Sequence, residues 1–131
     1  MNDWVEANLS LLRGAFTDVE SKVLDGIVWV RIPSYPLSPD VWSQAAVDVA
    51  FRIPATAGEA PYGFWVHPPL TLVSGAPVAN YSYPASTPWG NDWGQFSFAP
   101  AEPWQPKADV RSGPNMLNFA RGIADRLGEG A

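Results

Sequence analysis

W-G-Q-F-S-F-A-P-A-E-P-W-Q-P, residues 93–106, is the stretch of sequence on which the fold prediction rests. A glycine leads into a short apolar run in which the hydroxyl of Ser97 stands between Phe96 and Phe98, and prolines with a Trp-x-Pro end the run. Aromatic neighbours are typical of a strand, so a serine between them either hydrogen-bonds the backbone or is presented for a purpose. Both interpretations of Ser97 stay open at this point.

The composition predicts one folded domain over residues 1–131. At this length, with 47% hydrophobic and 16% charged residues, the chain can bury a core without a metal or disulfides. Fourteen prolines exclude an all-helical bundle. The absence of cysteine excludes disulfides, thiolate metal sites and thiol chemistry. With a single histidine besides, we expect neither a metal nor a cofactor.

The charge of the chain limits its partners. A net charge of −5 without any run of Lys or Arg argues against nucleic acid and anionic membranes. No apolar run approaches the length of a membrane span, and the first residues, M-N-D-W-V-E, lack the pattern of an export signal. We therefore expect a cytoplasmic protein whose partners are neutral or basic protein surfaces.

Hydrophobic periodicity predicts an α+β fold, with helices packed on an antiparallel meander of about four strands. The predicted elements are a helix over residues 3–16, a hairpin around Asp25-Gly26 within residues 23–33, strands over residues 45–53 and 62–67, a long loop from Leu72 to Trp93, and a helix from about Pro114 to Leu127 with Ser112 or Gly113 as its cap. Loops of that length in compact domains are usually functional.

The order of these motifs resembles the ubiquitin-conjugating (UBC) superfamily, and within it the prokaryotic group called family E. The motifs that carry the resemblance, over roughly residues 20–127, are Ile32-Pro33-Ser34-Tyr35-Pro36-Leu37, Phe64-Trp65-Val66-His67-Pro68-Pro69-Leu70, Trp93-Gly94-Gln95-Phe96-Ser97 and Trp104-Gln105-Pro106. Each motif is weak alone, and their shared order makes the argument. The resemblance implies an N-terminal helix, a four-stranded antiparallel meander, a long active-site loop and a C-terminal helix.

The resemblance also implies partners and a site. Such proteins work beside ubiquitin-like proteins and ThiF-type adenylating enzymes in bacterial conjugation pathways. The family's active-site segment reads Gly-x-Ile-Cys-Leu, and the position of its cysteine falls on Ser97. The superfamily's His-Pro-Asn element has no clear counterpart, because His67-Pro68-Pro69 lies thirty residues before Ser97.

Two functions from different classes remain. In the first, the chain is a transferase that carries a ubiquitin-like protein as an oxyester on Ser97, with His67 and Asp92 among the candidates for the base that a serine needs. Glu102 and Asp109 are the other nearby carboxylates. In the second, the chain is a catalytically inactive UBC-like module that scaffolds a ubiquitin-like protein or its activating enzyme. The first predicts an exposed Ser97 near a base; the second predicts a buried, hydrogen-bonded Ser97 and an apolar surface patch.

The aromatic residues around this segment are candidates for partner binding. Trp89 and Trp93 could form a lip for a partner, since indoles dominate interface hot spots, or could pin a loop to the sheet. Asn91 could support an oxyanion or form a turn beside Gly90. Trp104 is expected to pack as a wedge under the active-site segment. His67 could be a base, or a histidine whose hydrogen bonds are satisfied in the core or at its rim.

Overall fold

Two α-helices and six β-strands make up the part of the chain that this computed structural model describes, residues 3–55, 59–100, 103–107 and 109–130. In order they are α1 (Asp3–Ala15), β1 (Glu20–Leu24), β2 (Ile27–Pro36), β3 (Ala46–Ile53), β4 (Phe64–His67), β5 (Tyr81–Thr87), β6 (Gly90–Phe96) and α2 (Met116–Glu129), with a short 3-10 helix, Val110–Ser112, before α2. The strands form one antiparallel sheet in the order β1-β2-β3-β4-β6-β5. The α+β prediction is confirmed.

The first half of the sheet follows from turn chemistry and alternation. Asp25 and Gly26 have φ of 52° and 76°, the pair of positive values that a two-residue type I′ hairpin requires, and they join β1 to β2. In β3 the alternate residues Val47, Val49 and Phe51 are buried, as the period of two predicts. The hairpin and the strand near residues 45–53 are therefore confirmed.

The predicted loop from Leu72 to Trp93 is wrong in its second half. That segment contains β5 and most of β6, so the sheet has six strands among the described residues and not four. β6 inserts beside β4, and β5 forms the outer edge. The segment carries Gly, Pro, Ser and Asn, which lower strand propensity. Its pairing comes from tertiary contact: Phe64 on β4 lies opposite Phe96 on β6, and the two rings stack with centroids 4.8 Å apart.

The start of α2 also differs from the prediction. Its cap is Asn115, not Ser112 or Gly113, and the helix continues through Gly128 to Glu129. The Asn115 side chain accepts the N–H of Asn118, while the Asn118 side chain accepts the N–H of Asn115. This reciprocal capping box satisfies backbone N–H groups at the start of α2. A cap at Gly113, with Pro114 as the first helical residue, would offer no side chain to do so.

The main core lies between the helices and one face of the sheet. The fully buried side chains include Leu9 and Leu12 of α1 and Ile123 of α2. Two hydrogen bonds fix α2 on the sheet side: Tyr35 Oη donates to Ala120 O at 2.8 Å, and Trp42 Nε1 donates to Leu127 O at 2.8 Å. Burial raises the pKa of Tyr35 to about 12, so its hydroxyl stays protonated as a donor. No helix among the described residues has the length and apolarity to cross a membrane.

A second cluster lies on the opposite face of the sheet. Its buried members are Trp29, Ala50, Trp65 and Trp93. The indoles of Trp29 and Trp65 meet with centroids 4.7 Å apart, over the small side chain that Ala50 contributes from β3. Arg52 lies over both rings, at 5.5 Å from the Trp29 centroid and 5.0 Å from that of Trp65. Cations held on indoles in this way stabilise a sheet face that neither α1 nor α2 covers.

Candidate functional site

Ser97 is the first residue after β6, and its side chain is exposed. Its backbone is held from both sides: its own N–H donates to Asn80 O at 2.9 Å, and the N–H of Gly63 donates to the next carbonyl, that of Phe98, at 2.7 Å. No hydrogen bond joins the Ser97 hydroxyl to another described residue. The structure therefore presents this hydroxyl on a fixed backbone without a partner in the described part of the chain. The expectation of a buried, hydrogen-bonded Ser97, which went with the inactive module, is wrong, because the residue is exposed as the transferase predicts.

His67 and Asp92 lie together, but at the far end of the same strands. His67 Nδ1 is 3.2 Å from Asp92 O and 3.8 Å from Asp92 Oδ2, and its ring lies 5.2 Å from that of Trp93. The register pairs Phe64 with Phe96 and Val66 with Gly94. His67 is thus level with Trp93, four residues before Ser97, a separation of roughly 13 Å along an extended strand. The structure does not bring these two predicted catalytic residues to Ser97.

The other two carboxylates close to Ser97 in sequence give it no base either. Asp109 caps the 3-10 helix, where its carboxylate accepts the N–H of Arg111 at 3.0 Å and the hydroxyl of Ser112 at 3.1 Å. Glu102 lies outside the described residues. Among the described residues, no group of three or more metal-ligating side chains could hold a metal ion.

Three of the predicted partner-binding residues lie around the turn from β5 to β6. Trp93 is 1% exposed and belongs to the indole cluster, whereas Trp89 is only partly buried and donates its Nε1–H to Glu20 Oε2 at 3.2 Å. Asn91 is exposed, six residues before Ser97, or roughly 20 Å along the strand. Trp93 thus packs on the face of the sheet, and Trp89 is half-buried in the turn beside it. Asn91 does not reach the Ser97 hydroxyl.

A groove of about 560 Å³ begins one residue after Ser97 and runs along α2. We call it the α2 groove. Trp104 lies in its wall, edge-on to Trp4 of α1 with ring centroids 6.4 Å apart. The lining residues are Phe98, Pro100, Pro103, Trp104, Pro114, Asn118, Phe119, Gly122, Asp125, Arg126 and Glu129. The one sequence feature that marks the groove is Gly122 in mid-helix, which leaves its wall without a side chain at that position.

At the rim of the α2 groove the positive charge is held within the protein, whereas the negative charges face solvent. The guanidinium of buried Arg126 donates to Gly130 O at 3.0 Å and to Ala79 O at 2.7 Å, and its Nε is 4.0 Å from Glu129 Oε2. Its hydrogen-bonding capacity is therefore directed into the protein. Asp125 and Glu129 are exposed, so the rim keeps an excess of negative charge towards solvent.

The helix–sheet–helix order agrees with that of a UBC-like, or E2-like, protein. More narrowly, the chain belongs to prokaryotic E2 family E, whose model matches residues 7–117, and the resemblance seen in the sequence is confirmed. The comparison with curated proteins found no match, and neither did the comparison with solved structures. Membership gives the chain a role in a bacterial ubiquitin-like conjugation pathway, in which ubiquitin-like proteins are the interaction partners.

Proposed function

We propose that this chain is a catalytically inactive E2-like module that holds a ubiquitin-like protein, or its ThiF-type activating enzyme, while another protein performs the transfer. One observation carries the proposal: among the described residues, no group contacts the Ser97 hydroxyl to remove its proton. A serine hydroxyl is far less acidic than a thiol and needs such a base. The only histidine of the chain, His67 on β4, lies level with Trp93, which is four residues before Ser97.

A second candidate function is supported by the exposure of Ser97. In it, the hydroxyl accepts the acyl group of a ubiquitin-like protein from a thioester on the activating enzyme. The serine oxygen bonds to the carbonyl carbon, the carbon–sulfur bond breaks and a thiolate leaves, while the hydroxyl proton passes to a base. That base would have to come from the partner or from outside the described residues, because Asp92 lies beside His67 and Asp109 caps a helix.

A charging assay separates the two functions. The chain is mixed with its cognate activating enzyme, ubiquitin-like protein and ATP, and intact mass is measured for wild type and Ser97→Ala. We expect no adduct on either protein, with binding retained and the activating enzyme itself charged. An adduct that resists thiol reductant, yields to hydroxylamine and disappears in Ser97→Ala would instead establish the serine as the acyl acceptor.

We further propose the α2 groove as the place where this module holds its partner. Its floor and walls are apolar and aromatic, from Phe98, Trp104 and Phe119, and its rim carries the exposed carboxylates of Asp125 and Glu129. These features are complementary to an extended segment that combines apolar side chains with Lys or Arg. The segment would lie beside Ser97, which fits either of the two functions.

Filling the groove tests this placement. An added Cβ at Gly122 would meet only Phe98 Cζ, at 3.7 Å, so the helix has room for a side chain there, and Gly122→Met should fill part of the groove that Gly122 lines. We expect it to weaken binding of the ubiquitin-like protein or activating enzyme at least ~10-fold, measured by calorimetry. The matched control is Gly128→Met, the same change in α2 at an exposed position with open space around it. Equal affinities of the two variants would exclude the groove.

A further inference from the structure

The two edges of the sheet are protected to different degrees. β5 contains Pro84, and its pairing with β6 has two register shifts, both of which are devices that prevent pairing with another chain. β1 has no proline, and its five residues pair one to one with β2, from Glu20 opposite Arg31 to Leu24 opposite Ile27. Val23 and Leu24 are 60% and 49% exposed. β1 is therefore a regular edge with an apolar end.

The turn between β1 and β2 fixes which backbone groups of this edge are free. In a hairpin with a two-residue loop, the residues that flank the loop form a hydrogen-bonded pair, and such pairs alternate along the ladder. Leu24, Lys22 and Glu20 therefore direct their N–H and C=O groups to β2. The groups of Ser21 and Val23, between them, point away from the sheet and are available to a further strand.

The charges on β1 then select one partner and one register. Joining a second copy antiparallel through these outward groups requires odd-numbered residues to face each other. If Ser21 faces Val23, Lys22 lies opposite Lys22, and if Val19 faces Ser21, Glu20 lies opposite Glu20. If Val23 faces Val23, the pairing runs into the turn at Asp25. Only Ser21 facing Ser21 sets Glu20 opposite Lys22, and the two-fold axis makes that favourable pair twice.

We propose that β1 pairs with β1 of a second copy around a two-fold axis at Ser21, so that the two six-stranded sheets become continuous. In this register Val19 lies opposite Val23, which adds an apolar pair on the helix side of the sheet. On the other side, Glu20 and Lys22 already converge on the turn before β6: Glu20 accepts from Trp89 Nε1, and Lys22 Nζ is 3.4 Å from Pro88 O. In the dimer, Lys22 and Glu20 of the second copy would lie opposite these two side chains and add favourable charge pairs.

Self-association at β1 is independent of the proposed function. β2, β3 and β4 separate β1 from β6, a distance of roughly 19 Å at ordinary strand spacing. The Ser97 segment and the α2 groove thus remain open in both copies. A dimer would carry two grooves on one continuous sheet, and failure of the dimer proposal would leave the charging and groove experiments unaffected.

Charge reversal tests the register directly. Sedimentation equilibrium at about 0.15 M salt, where the net charge of −5 per copy is largely screened, should show a concentration-dependent dimer for wild type. Glu20→Lys and Lys22→Glu should each raise the dissociation constant at least ~10-fold, because both symmetric pairs become repulsive. An equimolar mixture of the two variants should dimerise again, since every Lys then faces a Glu. The mixture matters because both variants also lose contacts to the turn before β6.

Matched controls and a backbone variant complete the test. Glu59→Lys and Lys107→Glu make the same charge changes at exposed positions outside β1 and should leave the dimer unchanged. Ser21→Pro removes one outward N–H without touching the ladder to β2, and it should give a monomer that keeps the wild-type circular dichroism spectrum. A wild-type monomer at all concentrations, or a mixture that fails to dimerise while wild type does, would overturn the proposal.

Discussion

Replacing Trp93 by alanine is expected to lower the free energy of unfolding by about 3–5 kcal/mol. Trp93 is 1% exposed and joins the indole cluster, where its ring lies 5.2 Å from that of His67 and 5.6 Å from the guanidinium carbon of Arg31. Truncation leaves a cavity the size of an indole and removes a cation–π contact. Equilibrium urea denaturation followed by circular dichroism measures the loss.

The control for this variant is Trp89→Ala. Trp89 is only partly buried, and its contacts to Glu20 and Lys22 lie at the surface, so its removal should cost about 1 kcal/mol or less. Equal losses for the two tryptophans would contradict the assignment of Trp93 to the interior of the sheet. The pair also decides how binding data are read, because a defect in Trp93→Ala reports loss of fold, whereas one in Trp89→Ala reports a lost contact.

Adding one methyl group at Gly94 is expected to destabilise the protein by about 3 kcal/mol. A Cβ there would lie 1.9 Å from Tyr81 Oη and 2.4 Å from Tyr81 Cζ. The tyrosine ring cannot withdraw easily, because it packs 4.7 Å from the Phe96 ring and its hydroxyl accepts the N–H of Leu70 at 3.2 Å. Since β6 ends at the residue before Ser97, the same change should disturb the Ser97 segment.

Two comparisons make the Gly94 experiment decisive. Gly14→Ala is the same substitution at a helical position with nothing within 4 Å, and it should stabilise by roughly 0.5–1 kcal/mol. Tyr81→Ala removes the ring that Gly94→Ala would strike, so the double variant should be clearly more stable than the sum of the single losses implies. Additive losses in urea denaturation would mean that Tyr81 is not what requires glycine at this position.

Local chemistry was sufficient to predict the first half of the fold and insufficient for the second. Asp25-Gly26 specifies its turn by its own backbone preferences, and the alternation of β3 needs no partner to be recognised. β5 contains Pro84 and β6 contains Gly94, and both residues lower strand propensity. Each is explained only by the strand or side chain that lies next to it in the fold. Pro84 lies on an edge strand that tolerates it, and Gly94 leaves room for Tyr81.

The order of the site residues along the chain was predictable from the sequence, but the distances between them in the fold were not. The motif order placed Ser97 after an aromatic strand, and the structure has it there. Whether His67 reaches Ser97 depends on the register of β4 against β6, which sets His67 level with Trp93, and no pattern within either strand encodes that register. The α2 groove was missed for a similar reason, because its two sides, near Phe98 and Gly122, are distant in sequence.

The indole pair over Ala50 gives the protein an optical consequence. Trp29 on β2 and Trp65 on β4 lie 4.7 Å apart between centroids and tilted by 59°, close enough for their electronic transitions to couple. Coupled, fixed indoles produce a near-ultraviolet circular dichroism signal that free indoles do not. Because the pair bridges across β3, its contribution to that signal reports the integrity of the central strands. It can be followed without any label while a partner binds.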